Sequence, residues 1–171
     1  MKVVLVGYMA SGKSSIGKLL AKELEMKFID LDDYMETQLG KSIATIFSEK
    51  GEIYFRKMEH ELLVRVLTEN DSVILATGGG APCYGENMKT IVENADYSIY
   101  LQLPVLALAE RIGKEKETRP LVKNIENKDL PEFIGKHLFE RSKFYSQAEH
   151  IMDCNGKTMD ELVVEIKTIL S

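Results

Sequence analysis

Gly7-Tyr8-Met9-Ala10-Ser11-Gly12-Lys13-Ser14 sets two glycines, a lysine and a serine at the spacing of a phosphate-binding loop. The glycines let the backbone wrap so that successive N–H groups point inward, and Lys13 adds a full positive charge. Such a loop must follow a strand and open a helix, whose amino-terminal dipole end favours anions. Both conditions hold here. Lys2 to Val6 is a short apolar run, and Ser14 to Leu24 puts Ile16, Leu19, Leu20 and Leu24 on one helical stripe. Ala10, Ser11, Gly12, Lys13, Ser14 and Ser15 are therefore the expected contacts of a nucleoside triphosphate, and the Ser14 hydroxyl is suited to Mg²⁺.

The loop names the donor and leaves the acceptor open. Asp30-Leu31-Asp32-Asp33 follows a second strand candidate, which places carboxylates at the carboxyl edge of a sheet, where open α/β folds bind ligands. In an extended segment Asp30 and Asp32 project to one side, one toward Mg²⁺ and the other toward a substrate hydroxyl; a helix N-cap at Asp32 or Asp33 is an equal alternative. Arg56 lies on a predicted helix, Glu52 to Leu67, with Glu52 and Glu59 on its face, a pattern an exposed ion-pair ladder would also give. Gly78-Gly79-Gly80 ends another strand, and three glycines in a row fit a close approach of ligand to backbone. Arg141 sits on the predicted helix Leu130 to Gln147, where periodicity leaves a site role and a surface position both open.

These residues need a frame. The chain has 171 residues, 44% hydrophobic, enough for one core and not comfortably for two. Short apolar runs, Lys2 to Val6, Val73 to Ala76 and Tyr97 to Leu103, alternate with helical segments, the last being Met159 to Leu170, and Lys27 to Asp30 and His150 to Met152 are weaker strands. This predicts an α/β chain, a three-layer α/β/α domain with a five-stranded parallel sheet. Gly113 to Arg119 carries five charged residues and no apolar one, so a solvated, mobile excursion is expected there, either a plain surface loop or a functional one.

Composition excludes several classes. The formal net charge is -5, which argues against a nucleic-acid binder. Cys83 and Cys154 have no partner at metal-ligand spacing, so reduced thiols are expected. Asn70-Asp71-Ser72 spells a glycosylation sequon, to which no role is given in the absence of an export signal. No run reaches the length of a signal-peptide core or a membrane span, and a cytoplasmic location is expected. An N-K-x-D base-reading run is missing, and the central strand ends Ala76-Thr77-Gly78 without the Asp of a motor ATPase. A small-molecule kinase fits best.

Taken in order, Gly7 to Ser14, Asp30 to Asp32, Phe55-Arg56, Gly78 to Gly80, Arg119-Pro120-Leu121 and Arg141 to Tyr145 resemble shikimate kinase over essentially the whole chain. The stretch Gly40 to Phe47, ahead of Gly51-Glu52, is also similar to that family's substrate-domain segment. The resemblance implies a single P-loop kinase domain over 1–171, with a substrate-binding segment at about 32–60 and a mobile lid at about 112–124. It implies transfer of the ATP γ-phosphoryl group to the 3-hydroxyl of shikimate, in the route to chorismate and the aromatic amino acids. Asp32, Arg56, Gly78, Gly79, Gly80 and Arg141 take the shikimate positions, with Arg56 and Arg141 toward its carboxylate and Asp32 toward its ring hydroxyls. Ser14 and Asp30 take the Mg²⁺ positions, Arg119 the lid position that reaches phosphate, and Arg111 and Lys157 positions beside the nucleotide. Lys13, Asp32 and Arg119 are the implied catalytic set. ATP and shikimate are the expected small-molecule partners of a monomer, with no nucleic acid and no membrane. The resemblance departs at Ala10, where the family commonly has glycine, at Met159, where some members have proline, and in a lid about one residue longer. A gluconate or nucleoside monophosphate kinase, or a nucleotide-binding regulator without turnover, are the alternatives.

Overall fold

The computed structural model describes residues 1–171. Five strands, β1 (Lys2–Val6), β2 (Phe28–Asp30), β3 (Val73–Ala76), β4 (Tyr97–Gln102) and β5 (His150–Asp153), form one parallel sheet in the order β2-β3-β1-β4-β5. The central register pairs Val4 with Leu75 on one side and with Ser98 on the other. The inner strands are covered on both faces, which is why β1 and β3 read as continuous apolar runs and not as alternating ones.

Seven helices complete the chain: α1 (Lys13–Leu24), α2 (Leu31–Leu39), α3 (Ile43–Glu69), α4 (Asn87–Asn94), α5 (Val105–Glu115), α6 (Leu130–Tyr145) and α7 (Met159–Ile169). The chain leaves β1 toward β2 and leaves β3 in the opposite direction toward β4. Right-handed crossovers therefore put α1 on one face, where α7 packs against it, and α3 and α4 on the other. The reversal opens a crevice at the carboxyl ends of β1 and β3, the place where sheets of this kind bind ligands. One core of 39 buried residues spans both faces, including Val4, Leu20, Leu63, Ile99 and Val163. No helix is long and apolar enough to cross a membrane.

Local chemistry explains the boundaries that periodicity left open. The Asp30 carboxylate accepts from the backbone N–H of Asp32 and Asp33, so Asp30, and not Asp32 or Asp33, is the N-cap and α2 starts at Leu31. Ser42 caps α3, which begins nine residues before Glu52 and breaks at Gly51, whose φ of 80° is outside the helical region. The charged segment Gly113 to Arg119 has no buried residue, as expected of a solvated segment, but it is not without secondary structure. Its first residues complete α5, a 3₁₀ turn covers Lys116–Thr118, and the flanking Ile112 and Val122 are fully buried.

Candidate active site

The loop between β1 and α1 is held from below. Gly7, with φ 150°, stands where a Cβ would lie 2.9 Å from the Leu101 carbonyl oxygen, and Gly12 opens α1 with φ 97°. Only glycine avoids a steric cost at the first of these positions. Ala10 holds φ 62°, a left-handed conformation that costs a non-glycine residue about 1–2 kcal/mol. Its carbonyl accepts from Arg111 Nη1 at 3.2 Å, which ties the strained turn to α5. Lys13 is buried inside the loop, donating from Nζ to the carbonyls of Gly7 at 2.7 Å and Tyr8 at 3.0 Å. Burial pulls its ammonium down to about 8, against the opposing pull of the Asp32 and Asp30 carboxylates.

Ser14 Oγ donates to Asp30 Oδ2 at 2.5 Å, so two hard oxygen donors meet at the start of α1. Asp32 lies in the first turn of α2, not in an extended segment with Asp30, and it reaches the site because Asp30 as N-cap turns the chain into the helix. Its carboxylate packs against the glycine run, and a Cβ on Gly78 would lie 2.9 Å from Asp32 Oδ1. Burial first, and then the neighbouring Asp30 carboxylate, push the Asp32 carboxyl up to about 6, with Lys13 opposing. Beside it, the Thr77 hydroxyl donates to the Leu5 carbonyl at 3.2 Å, joining the ends of β3 and β1.

Two arginines converge on Gly80. A Cβ there would lie 3.1 Å from Arg56 Nη2 and 3.4 Å from Arg141 Nη2, and one on Gly79 would lie 3.2 Å from the Met9 backbone nitrogen. Side chains at these positions would fill the recess the guanidiniums face, which is the physical reason for the glycines. Arg56 does pair with both Glu52, at 3.8 Å, and Glu59, which accepts from Nη1 at 2.8 Å, but the ladder is not an exposed one: the Arg56 side chain is 20% exposed and that of Glu59 only 2%. Burial raises the Glu59 carboxyl, and Arg56 opposes that shift. Tyr145, one turn beyond Arg141 on α6, donates its buried hydroxyl to the Gly79 carbonyl at 2.5 Å and so pins the glycine run to that helix. Burial pushes the Tyr145 phenol well above its ordinary range.

A cleft of about 550 Å³ runs beside this recess, lined by Ala10, Gly12, Lys13, Ser14, Ser15, Asp30, Asp32, Gly78 and Gly79 from the sheet side. Arg111, Arg119 and Lys157 line it from α5, the turn after α5, and the approach to α7. Arg119 donates to Glu115 Oε2 at 2.8 Å, while its Nε is buried without a partner. Lys157 pairs with Glu165 at 2.7 Å. The geometry is that of a cationic loop in a cleft that also holds the Asp32 carboxylate, with two guanidiniums converging at Gly80 next to it. Such a site can hold a polyphosphate against a small anion that carries hydroxyl groups.

A sequence model of the shikimate kinase family matches residues 9–171. The shikimate kinase of Flavobacterium psychrophilum is 45% identical over 99% of this chain and 98% of its own. The chain belongs to the shikimate kinase family. Among solved family members, the Bacteroides thetaiotaomicron shikimate kinase superposes with a TM-score of 0.91 at 33% identity, covering 99% of this chain and 98% of that one. The Acinetobacter baumannii shikimate kinase, solved in complex with shikimate, gives 0.87 at 29% identity, covering 99% and 92%.

Within this family fold, most of the residues read from the sequence lie around one connected site. Arg56, Gly80 and Arg141 stand in the recess rather than in the larger cleft, and Ser11 is buried beneath the loop, its Oγ without a partner. Sequence reasoning reads Glu59 only as a surface partner of Arg56, and it gives no role to Tyr84 or Glu115. Tyr145 has a signal in its place one turn after Arg141; Tyr84 has none.

Proposed function

We propose that the chain transfers the γ-phosphoryl group of ATP to the 3-hydroxyl of shikimate, giving 3-phosphoshikimate and ADP in the route to chorismate. The observation that carries this reading is the convergence of Arg56 and Arg141 at Gly80, beside Asp32 and the phosphate loop. Two guanidiniums facing one small recess suit a single carboxylate, and Asp32 suits the ring hydroxyls next to it. Family membership and the relative solved with shikimate support the same acceptor.

Lys13 gives up its bonds to the loop carbonyls for phosphate oxygens, with Ala10, Gly12, Ser14 and Ser15 offering loop and helix N–H groups to the same anion, while Ser11, whose N–H donates to the Tyr8 carbonyl at 3.2 Å, shapes the loop. Arg111 and Lys157 flank the nucleotide, and Gly78 and Gly79 let the acceptor approach the backbone. Ser14 and Asp30, with two oxygens already in contact and the cleft open to phosphates, fit Mg²⁺, which is commonly held by one or two protein oxygens plus the substrate. When bound, the ion neutralises phosphate charge. Asp32 orients the attacking hydroxyl and takes its proton, a role that its raised pKa suits near neutral pH. Arg119 shares the charge that develops on the transferred group, and closure of about 112–124 as a lid keeps water from the phosphate.

Lys13, Asp32, Arg56, Arg119 and Arg141 all come from one chain, so a monomer acting on two small molecules is sufficient for the reaction. The test is ADP release from Mg²⁺-ATP with and without shikimate, with the product identified by mass spectrometry. Release that does not depend on shikimate, or product formed equally from gluconate or a nucleoside monophosphate, overturns the reading.

A further inference from the structure

Tyr84 lies outside every motif discussed above, in the segment between the glycine run and α4. Its ring covers the guanidinium of Arg56, with 3.7 Å between Cζ and the ring centroid, and Phe55 approaches the same group at 5.0 Å. Glu59 takes Nη1, and Nε is buried with no hydrogen-bond partner, Glu52 Oε1 lying 3.8 Å from it. Nη2 is left facing the recess at Gly80, beside Nη2 of Arg141. A planar guanidinium stacked on a ring face and hydrogen-bonded along one edge has little freedom to swing, so its remaining edge is aimed.

The segment that carries Tyr84 is itself fixed. The buried Asn87 donates from Nδ2 to the Ala81 carbonyl at 2.8 Å, and His60 Nδ1 donates to Asn87 Oδ1 at 2.7 Å. The Asn87 N–H donates to the Tyr84 carbonyl at 3.2 Å. His60 stands one turn after Arg56 on α3, so the helix that presents the arginine also anchors the ring that covers it.

We propose that Tyr84 is a positioning and specificity residue: its ring face holds the Arg56 guanidinium in the plane that engages an acceptor carboxylate, and so favours acids over neutral analogues. This rests on the reading of Arg56 as a carboxylate ligand. The ring acts through Arg56, and its loss weakens acceptor binding without touching phosphate chemistry.

The test compares dissociation constants of shikimate and of its methyl ester for the full chain in the presence of Mg²⁺-ADP, together with kcat and the KM for ATP. Tyr84→Leu, which keeps apolar cover and removes the π face, should weaken shikimate binding by about 2- to 30-fold, the range of a partly exposed to desolvated cation–π contact. Ester binding, kcat and the KM for ATP should stay within about 2-fold of wild type, and Tyr84→Phe should restore shikimate binding to within about 2-fold. Equal weakening of acid and ester by Tyr84→Leu indicates a merely structural role and overturns the proposal. Unchanged shikimate binding in Tyr84→Leu overturns it as well. Arg56→Ala separates the two levels: if it weakens shikimate binding while Tyr84→Leu does not, only the role of Tyr84 fails. If Arg56→Ala itself leaves shikimate binding unchanged, the carboxylate reading of the recess falls, and the proposal with it.

Discussion

Replacing Asp32 with asparagine should make the protein more stable and less active at the same time, because the site holds this carboxylate at a cost to folding. Its pKa rises from an ordinary 3.8 to about 6 through burial and the nearby Asp30. At about 1.4 kcal/mol per pH unit this corresponds to at most about 3 kcal/mol, and the partial solvent contact of Asp32 brings the expectation to about 1–3 kcal/mol. The sign follows from proton linkage. The folded state holds the proton more tightly than the unfolded chain, so ionisation on raising the pH from about 4 to about 6 removes stability. The amide of the Asp32→Asn variant never ionises and escapes this loss. Urea unfolding of both proteins at several pH values should show an Asp32→Asn advantage that is small near pH 4 and grows to about 1–3 kcal/mol by pH 8. At pH 8 this corresponds to roughly 2–10 °C in Tm. In the same variant kcat should fall by at least about 10²-fold, the lower end of what a positioned base supplies. A stability difference that does not change with pH, or a variant no more stable than wild type at pH 8, would refute the reasoning.

Other substitutions separate the parts of the site. Lys13→Ala should abolish turnover while circular dichroism shows a folded chain, since Lys13 contributes charge and not core area; in the wild type, kcat/KM for ATP should fall as the pH rises through about 8, where free Lys13 loses its proton. Arg56→Ala and Arg141→Ala should each raise the KM for shikimate by roughly 10- to 150-fold, the equivalent of about 1.5–3 kcal/mol per charge-assisted contact, with the KM for ATP nearly constant. Arg119→Ala should lower kcat more than it raises the KM for shikimate, and amide exchange across residues 116–119 should slow when nucleotide and shikimate bind; ligand-independent exchange with unchanged kcat would return the segment to an ordinary surface turn.

Local chemistry was legible in the sequence wherever residue type and spacing carry the reason within one short segment. The phosphate loop needs glycines, lysine and serine at set offsets between a strand and a helix, and all are visible from Lys2 to Leu24. The inner strands were legible because doubly covered strands are short apolar runs, whereas the edge strands β2 and β5, only partly buried, gave weaker signals and their ends moved by a residue. The start of α2 was not, because the sequence offers Asp32 or Asp33 as the cap, whereas the chain turns into the helix directly at the end of β2 and Asp30 caps it. The sequence of Arg56 and its neighbours is equally that of an exposed ion-pair ladder. Only packing decided that Glu59 is buried, that Arg141 from a helix 85 positions later faces the same recess, and that Tyr84 lies over the guanidinium. Such contacts join residues far apart in the chain, and helical or strand periodicity reports only which face of its own element a residue occupies. Which other face it meets is set when the helices close over the sheet, so the recess exists only in the folded molecule.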